Sequence, residues 1–81
     1  MNKFAAINLN KRINAKCDAE GLTGIDREIF QFVATGEYGI NSIIRRFSDS
    51  VPEMLAGMER LMDRGLLHIM HSADRYYTSA V

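Results

Sequence analysis

The stretch that opens at Ser50-Val51-Pro52-Glu53 leaves the chain the least freedom. A serine, a proline in the first turn and a glutamate three residues after the serine together mark a helix start. The proline lacks only an N–H that a first turn leaves unpaired, and Glu53 can reach back to the backbone that Ser50 caps. Met54, Leu55, Met58, Leu61 and Met62 then recur at helical spacing as an apolar stripe. Arg64-Gly65 supplies a positive last turn and a terminating glycine, which predicts a helix over about 51–64. Immediately afterwards the period changes to two, with Leu67 and Ile69 alternating with His68 and Met70. Ser72-Ala73-Asp74 reads as a turn and Arg75-Tyr76-Tyr77-Thr78 as a second β-prone run. A rod with one apolar side that runs straight into a hairpin must be covered by helices from elsewhere in the chain.

Three earlier segments can supply them. Ala6, Leu9, Ile13 and Cys17 fall at spacings of three and four and predict an N-terminal helix, which ends at the polar break Asp18-Ala19-Glu20-Gly21. Thr23 with Asp26 three residues on has the form of a capping box, and Ile25, Ile29, Phe32 and Val33 give the second helix its buried face. Gly36 is expected to stop that helix in the left-handed conformation, and Glu37-Tyr38-Gly39 leaves room for a turn or one very short strand. A third, short helix is predicted over about 41–47, with Ile40, Ile43, Ile44 and Phe47 inward, Arg45-Arg46 outward and Ser48-Asp49-Ser50 as its break.

At 81 residues the chain has material for one core, and 47% apolar with 25% charged residues is ordinary globular composition. Met1-Asn2-Lys3-Phe4 begins no hydrophobic leader and no run is long enough to span a membrane, so a soluble cytoplasmic protein is expected. One cysteine, Cys17, excludes an internal disulfide and fits a reducing compartment. Ten bases balance ten acids, yet Lys3, Lys11, Arg12 and Lys16 share the first sixteen residues with no acid. The division is therefore a basic N-terminal helix or arm, residues 1–20, and a net acidic body, residues 21–81.

Segments 40–47, 48–50, 51–54 and 58–67, read in that order, resemble the winged helix-turn-helix superfamily of bacterial transcriptional regulators. The most specific part is Arg60-Leu61-Met62-Asp63-Arg64-Gly65-Leu66-Leu67, while Arg75-Tyr76-Tyr77 is similar to the return strand of the wing and residues 23–36 to the preceding helix. The resemblance implies a mainly α fold with a small β-hairpin: a three-helix core plus wing, with an additional N-terminal helix. It also implies that the long helix lies in the major groove of double-stranded DNA while the hairpin tip touches backbone or minor groove. Carried onto this chain, Glu53, Ala56, Gly57 and Arg60 take the reading positions. Arg60 alone has the paired donors that suit guanine, and Glu53 can accept from a cytosine amino group. Ser42, Arg45, Arg46, Ser50 and Arg75 are candidates for phosphate, with Lys11, Arg12 and Lys16 contributing from the N-terminal arm.

The expected function is a DNA-binding transcriptional regulator acting as a homodimer. The alternative is a protein-binding winged helix that presents the Met-bearing helix or the hairpin edge and has little affinity for DNA, because Glu53, Glu59 and Asp63 repel a polyanion. Gly57 inside a helix marks a close approach of DNA or of a neighbouring helix, or is merely tolerated. His68 and His71, three apart, point to opposite sides of a strand and do not form a metal pair. Cys17 reads as a small apolar residue. The sequence offers no phosphate loop, metal-ligand cluster or nucleophile motif, so neither an enzyme nor a cofactor is expected.

Overall fold

The computed structural model describes residues 3–78, with side chains from Ile7 onward. Its elements are α1 (Lys3–Ala19), α2 (Gly24–Val33), β1 (Tyr38–Gly39), α3 (Ile40–Arg46), α4 (Val51–Asp63), β2 (His68–Met70) and β3 (Arg75–Tyr77). The side chains of Lys3 and Ala6, the start at Met1-Asn2 and residues 79–81 lie outside the described part.

Helices α1 and α4 end in the same way. Gly21 (φ 66°) and Gly65 (φ 71°) take the left-handed conformation. This lets the Leu22 N–H reach the Cys17 carbonyl and the Leu66 N–H reach the Leu61 carbonyl, both at 2.9 Å. All four of those side chains are buried, which completes the usual hydrophobic accompaniment of such a cap. Helix α2 stops differently, and the left-handed Gly36 expected from the sequence is not found. Thr35 donates its hydroxyl to the Phe32 carbonyl at 2.7 Å and shares a 2.8 Å hydrogen bond with the Tyr38 hydroxyl. The Tyr38 ring stacks on Phe32 at 4.3 Å. These local bonds satisfy the helix end without any glycine conformation.

Neither predicted capping box forms, since Thr23 and Ser50 make no side-chain bond to their helices. Gly24, directly after Thr23, has φ 58° and redirects the chain, while Asp26 turns to a partner on α4. Before α4 the Ser50 N–H is bonded to the Phe47 carbonyl at 2.9 Å, and its own carbonyl accepts the Met54 N–H at 2.8 Å. The start of α4 therefore rests on Pro52 and backbone bonds.

The sheet has the order β1-β3-β2 and is antiparallel throughout. Tyr76 of β3 stands opposite Tyr38 on one side and Ile69 on the other. Helices α2, α3 and α4 with this sheet form a winged-helix-like topology, and α1 is the additional N-terminal helix. The expected hairpin is thus widened by the very short strand at Tyr38.

The core lies between α2 and α4. Ile29, Phe30 and Val33 meet Met54, Met58 and Leu61, with Ile43 and Phe47 closing one end and Ile13 and Cys17 of α1 covering another part. Each such large apolar side chain contributes about 1.5–3 kcal/mol by leaving water. Phe30, which the spacing argument omitted, is fully buried, whereas Ile25 and Phe32 are half-buried. The α4 stripe also needs correcting, because Leu55 and Met62 remain 49% and 39% exposed. They lie seven residues apart on one flank, beyond the sector that packs on α2. Among the described residues no helix is long and apolar enough to cross a membrane.

Candidate nucleic-acid interface

Among the described residues four cations are engaged by carboxylates. Lys16 lies 3.7 Å from Glu20, Arg27 is 2.8 Å from Asp18, Arg64 is 3.3 Å from Glu20, and Arg60 is 2.7 Å from Asp26. Asp18 and Asp26 hold Arg27 and Arg60 above the ordinary arginine pKa, chiefly through these side-chain hydrogen bonds. Lys11, Arg12, Arg45, Arg46 and Arg75 are exposed and have no carboxylate within 4.0 Å among the described residues.

Helix and strand geometry place these five. Arg45 and Arg46 occupy the last turn of α3, where cations also oppose the helix dipole, and the Arg46 guanidinium lies 4.9 Å over the Phe47 ring. Arg75 opens β3 opposite Gly39, the residue that precedes α3, so it sits at the other end of that helix, about 10 Å away along the axis. Ser42 on α3 and Ser50 before α4 are half-buried. Lys11 and Arg12 belong to α1, which packs mainly on α2. Lys16 is already committed to Glu20.

The outward side of α4 is poor in donors. Glu53, Ala56, Glu59 and Asp63 are exposed on it, flanked by Leu55 and Met62. Gly57 is not on this surface, contrary to the reading position expected for it, because it is buried against α2. A Cβ there would stand 2.8 Å from Asp26 Oδ1 and 2.8 Å from Ile29 Cδ1. Of the two close approaches considered from the sequence, the neighbouring helix is the one present.

That approach is accompanied by a polar contact between the two helices. Arg60 donates from Nε to Asp26 Oδ2 at 3.0 Å and from Nη2 to Asp26 Oδ1 at 2.7 Å, a two-pronged ion pair between α4 and α2. The sequence reads Asp26 as part of a cap, whereas in the structure it grips Arg60. The signal that could have found it is a glycine one turn before an arginine on a helix rich in acids, since a mid-helix glycine admits a neighbour.

His68 tilts against Tyr77 at 5.3 Å, while His71 lies beyond the end of β2 in the turn rather than on the strand. Among the described residues no group of three or more His, Cys, Asp or Glu is placed to hold a metal. Cys17 is fully buried, and burial is the main reason its thiol pKa is pushed up. The arrangement as a whole is a small helical domain with a three-stranded antiparallel sheet and cations at the edges of α3 and the wing. No protein-family model matches the chain, and neither the curated proteins nor the solved structures compared with it yield a match.

Proposed function

We propose that the chain is a DNA-binding winged-helix regulator that acts as a homodimer in the cytoplasm. The observation that carries this reading is the partition of the cations. Those on α2, on α4 and at its C-terminal cap are neutralised by neighbouring carboxylates, whereas Arg45, Arg46 and Arg75 are left for an outside anion at the two ends of α3. In a helix-turn-helix these ends flank the element that enters the major groove, so the same residues would lie along the phosphates. Lys11 and Arg12 extend the set on α1. A second copy doubles the neutralised phosphates and offsets the repulsion from Glu53, Glu59 and Asp63, which a single copy meets with few cations.

The test is duplex DNA binding as a function of salt. Between about 50 and 200 mM monovalent salt, affinity should fall roughly 40-fold for three phosphate contacts and roughly 500-fold for five. Absence of binding to mixed duplex DNA at the low-salt end would refute the reading.

One observation favours a second reading. Leu55 and Met62, 49% and 39% exposed, border Glu59 and Asp63 on α4, and this mixture suits a protein partner that is both apolar and basic. On that reading the chain is a protein-binding winged helix that does not retain duplex DNA at any salt concentration.

A further inference from the structure

An arginine guanidinium has five N–H donors in one plane, and they form two usable edges. Nε–H lies parallel to one N–H of Nη2, and the other N–H of Nη2 lies parallel to one of Nη1. Asp26 occupies only the first edge, through Nε at 3.0 Å and Nη2 at 2.7 Å. The second edge has no partner among the described residues, and the Arg60 side chain is 54% exposed against 20% for Asp26. The carboxylate thus fixes the plane of the guanidinium from the protein side and leaves the opposite donor pair directed away from it.

The height of this group along α4 matters as much as its orientation. Arg60 belongs to the second half of α4, yet long helical side chains lean towards the N-terminus and cover the preceding turn. Its Nη2 lies 3.6 Å from the point where a Cβ of Gly57 would be, so the guanidinium sits beside the middle of the helix. The absence of a side chain at Gly57 is what lets Asp26 come close enough to grip it, since Asp26 Oδ1 would be only 2.8 Å from that Cβ.

We propose that Asp26 is a positioning residue that holds the Arg60 guanidinium with its Nη1–Nη2 edge presented to the N7 and O6 acceptors of a guanine in duplex DNA. The inference rests on the DNA-binding reading above and adds a base preference to it. Two parallel donors on a fixed plane match those two acceptors, and no other base pair offers the same pair of acceptors in the major groove. The ion pair with Asp26 has no net charge, so Arg60 contributes recognition and little general attraction to phosphate. An arginine released from Asp26 has to give up its rotamer freedom on binding and can settle on a phosphate instead, which weakens selectivity.

The experiment selects binding sites for the full chain from a randomised duplex pool. It then compares affinities for the selected duplex and for the same duplex with each guanine changed to adenine. In the wild type one guanine should matter by roughly 5- to 150-fold, and Arg60→Ala should abolish that preference. Asp26→Ala should shrink it by about three- to tenfold. At the same time Asp26→Ala should raise affinity for an unrelated duplex, because a carboxylate is gone and a cation is freed. Asp26→Asn, which keeps the size and one acceptor, should fall between the two. Arg60→Ala added to Asp26→Ala should remove the remaining preference and cancel the gain on the unrelated duplex.

A merely structural Asp26 would lower both affinities in parallel together with the melting temperature, and that pattern would overturn the inference. So would a selected site whose guanine preference survives Asp26→Ala intact, or one in which no guanine depends on Arg60. These outcomes leave the DNA-binding reading standing. A pool from which the wild type retains nothing refutes that reading and the base preference with it.

Discussion

Gly57→Ala puts the packing of α4 on α2 to a direct test. On an exposed helix this substitution stabilises by about 1 kcal/mol, because glycine loses more backbone freedom on folding. Here the new Cβ would lie 2.8 Å from both Asp26 Oδ1 and Ile29 Cδ1. Ile29 is fully buried among core side chains, so its methyl has little room to retreat, and forcing an extra carbon into such a place costs about 1–3 kcal/mol. Asp26 can swing out only by releasing Arg60, and a part-exposed pair of this kind is worth about 0.2–1 kcal/mol. The costs exceed the gain, and net destabilisation by about 1–2 kcal/mol is expected. For a domain of this size that lowers the melting temperature by roughly 5–15 °C, readable from a thermal scan of helical circular dichroism. Combining the change with Asp26→Ala removes one of the two obstructing atoms and should recover part of the loss. A Gly57→Ala protein that melts at or above the wild-type temperature would refute the close approach.

The exposure of the α4 flank predicts a contrast: Leu55→Ser with Met62→Ser should change stability by less than about 0.5 kcal/mol, whereas Met54→Ala, at a fully buried site, should cost about 2–5 kcal/mol in urea unfolding. Replacing Arg45, Arg46 and Arg75 by alanine should weaken binding to all duplexes alike and flatten the log–log salt slope by about 0.9 per lost phosphate contact; an unchanged slope would remove these residues from the interface. Glu59→Gln should raise duplex affinity if α4 faces DNA, while on the protein-partner reading it lowers affinity for a basic partner. Cys17 should resist alkylation in the native state and react once denaturant is added. Burial raises its pKa, so the folded form keeps the proton while the unfolded form loses it. Stability should therefore fall as pH rises above the ordinary thiol range, and Cys17→Ala should remove that alkaline decline.

Local signals in the sequence carry most of the architecture. Pro52 and Gly65 bracket α4 because their backbone constraints act within a turn, and the switch to period two at Leu67 exposes the strand in the same way. Long-range choices are different. The five apolar residues of the α4 stripe exceed what one face can bury, and their spacing alone does not say that folding buries Met54, Met58 and Leu61 but leaves Leu55 and Met62 exposed. Gly36 and Gly65 look alike in one dimension, yet only the second adopts the left-handed turn, because Thr35 and Tyr38 have already satisfied the end of α2. Asp26 fits a cap by its distance from Thr23, but the strongest donor near it in three dimensions is Arg60. The candidate site was correspondingly half legible: the exposed arginines could be named from the sequence, while their division into engaged and unengaged cations depends on which carboxylates folding brings close.

The central position of β3 in the sheet has a consequence for assembly. Tyr38–Gly39 and His68–Met70 each pair with Arg75–Tyr77 and not with each other, although β3 is the last of the three to be synthesised. During translation the helices can associate early, while the two outer ribbons wait unzipped for a keystone made after both of them. A nascent chain stalled before Arg75 would carry two bare edges, and bare edges recruit strands from other molecules.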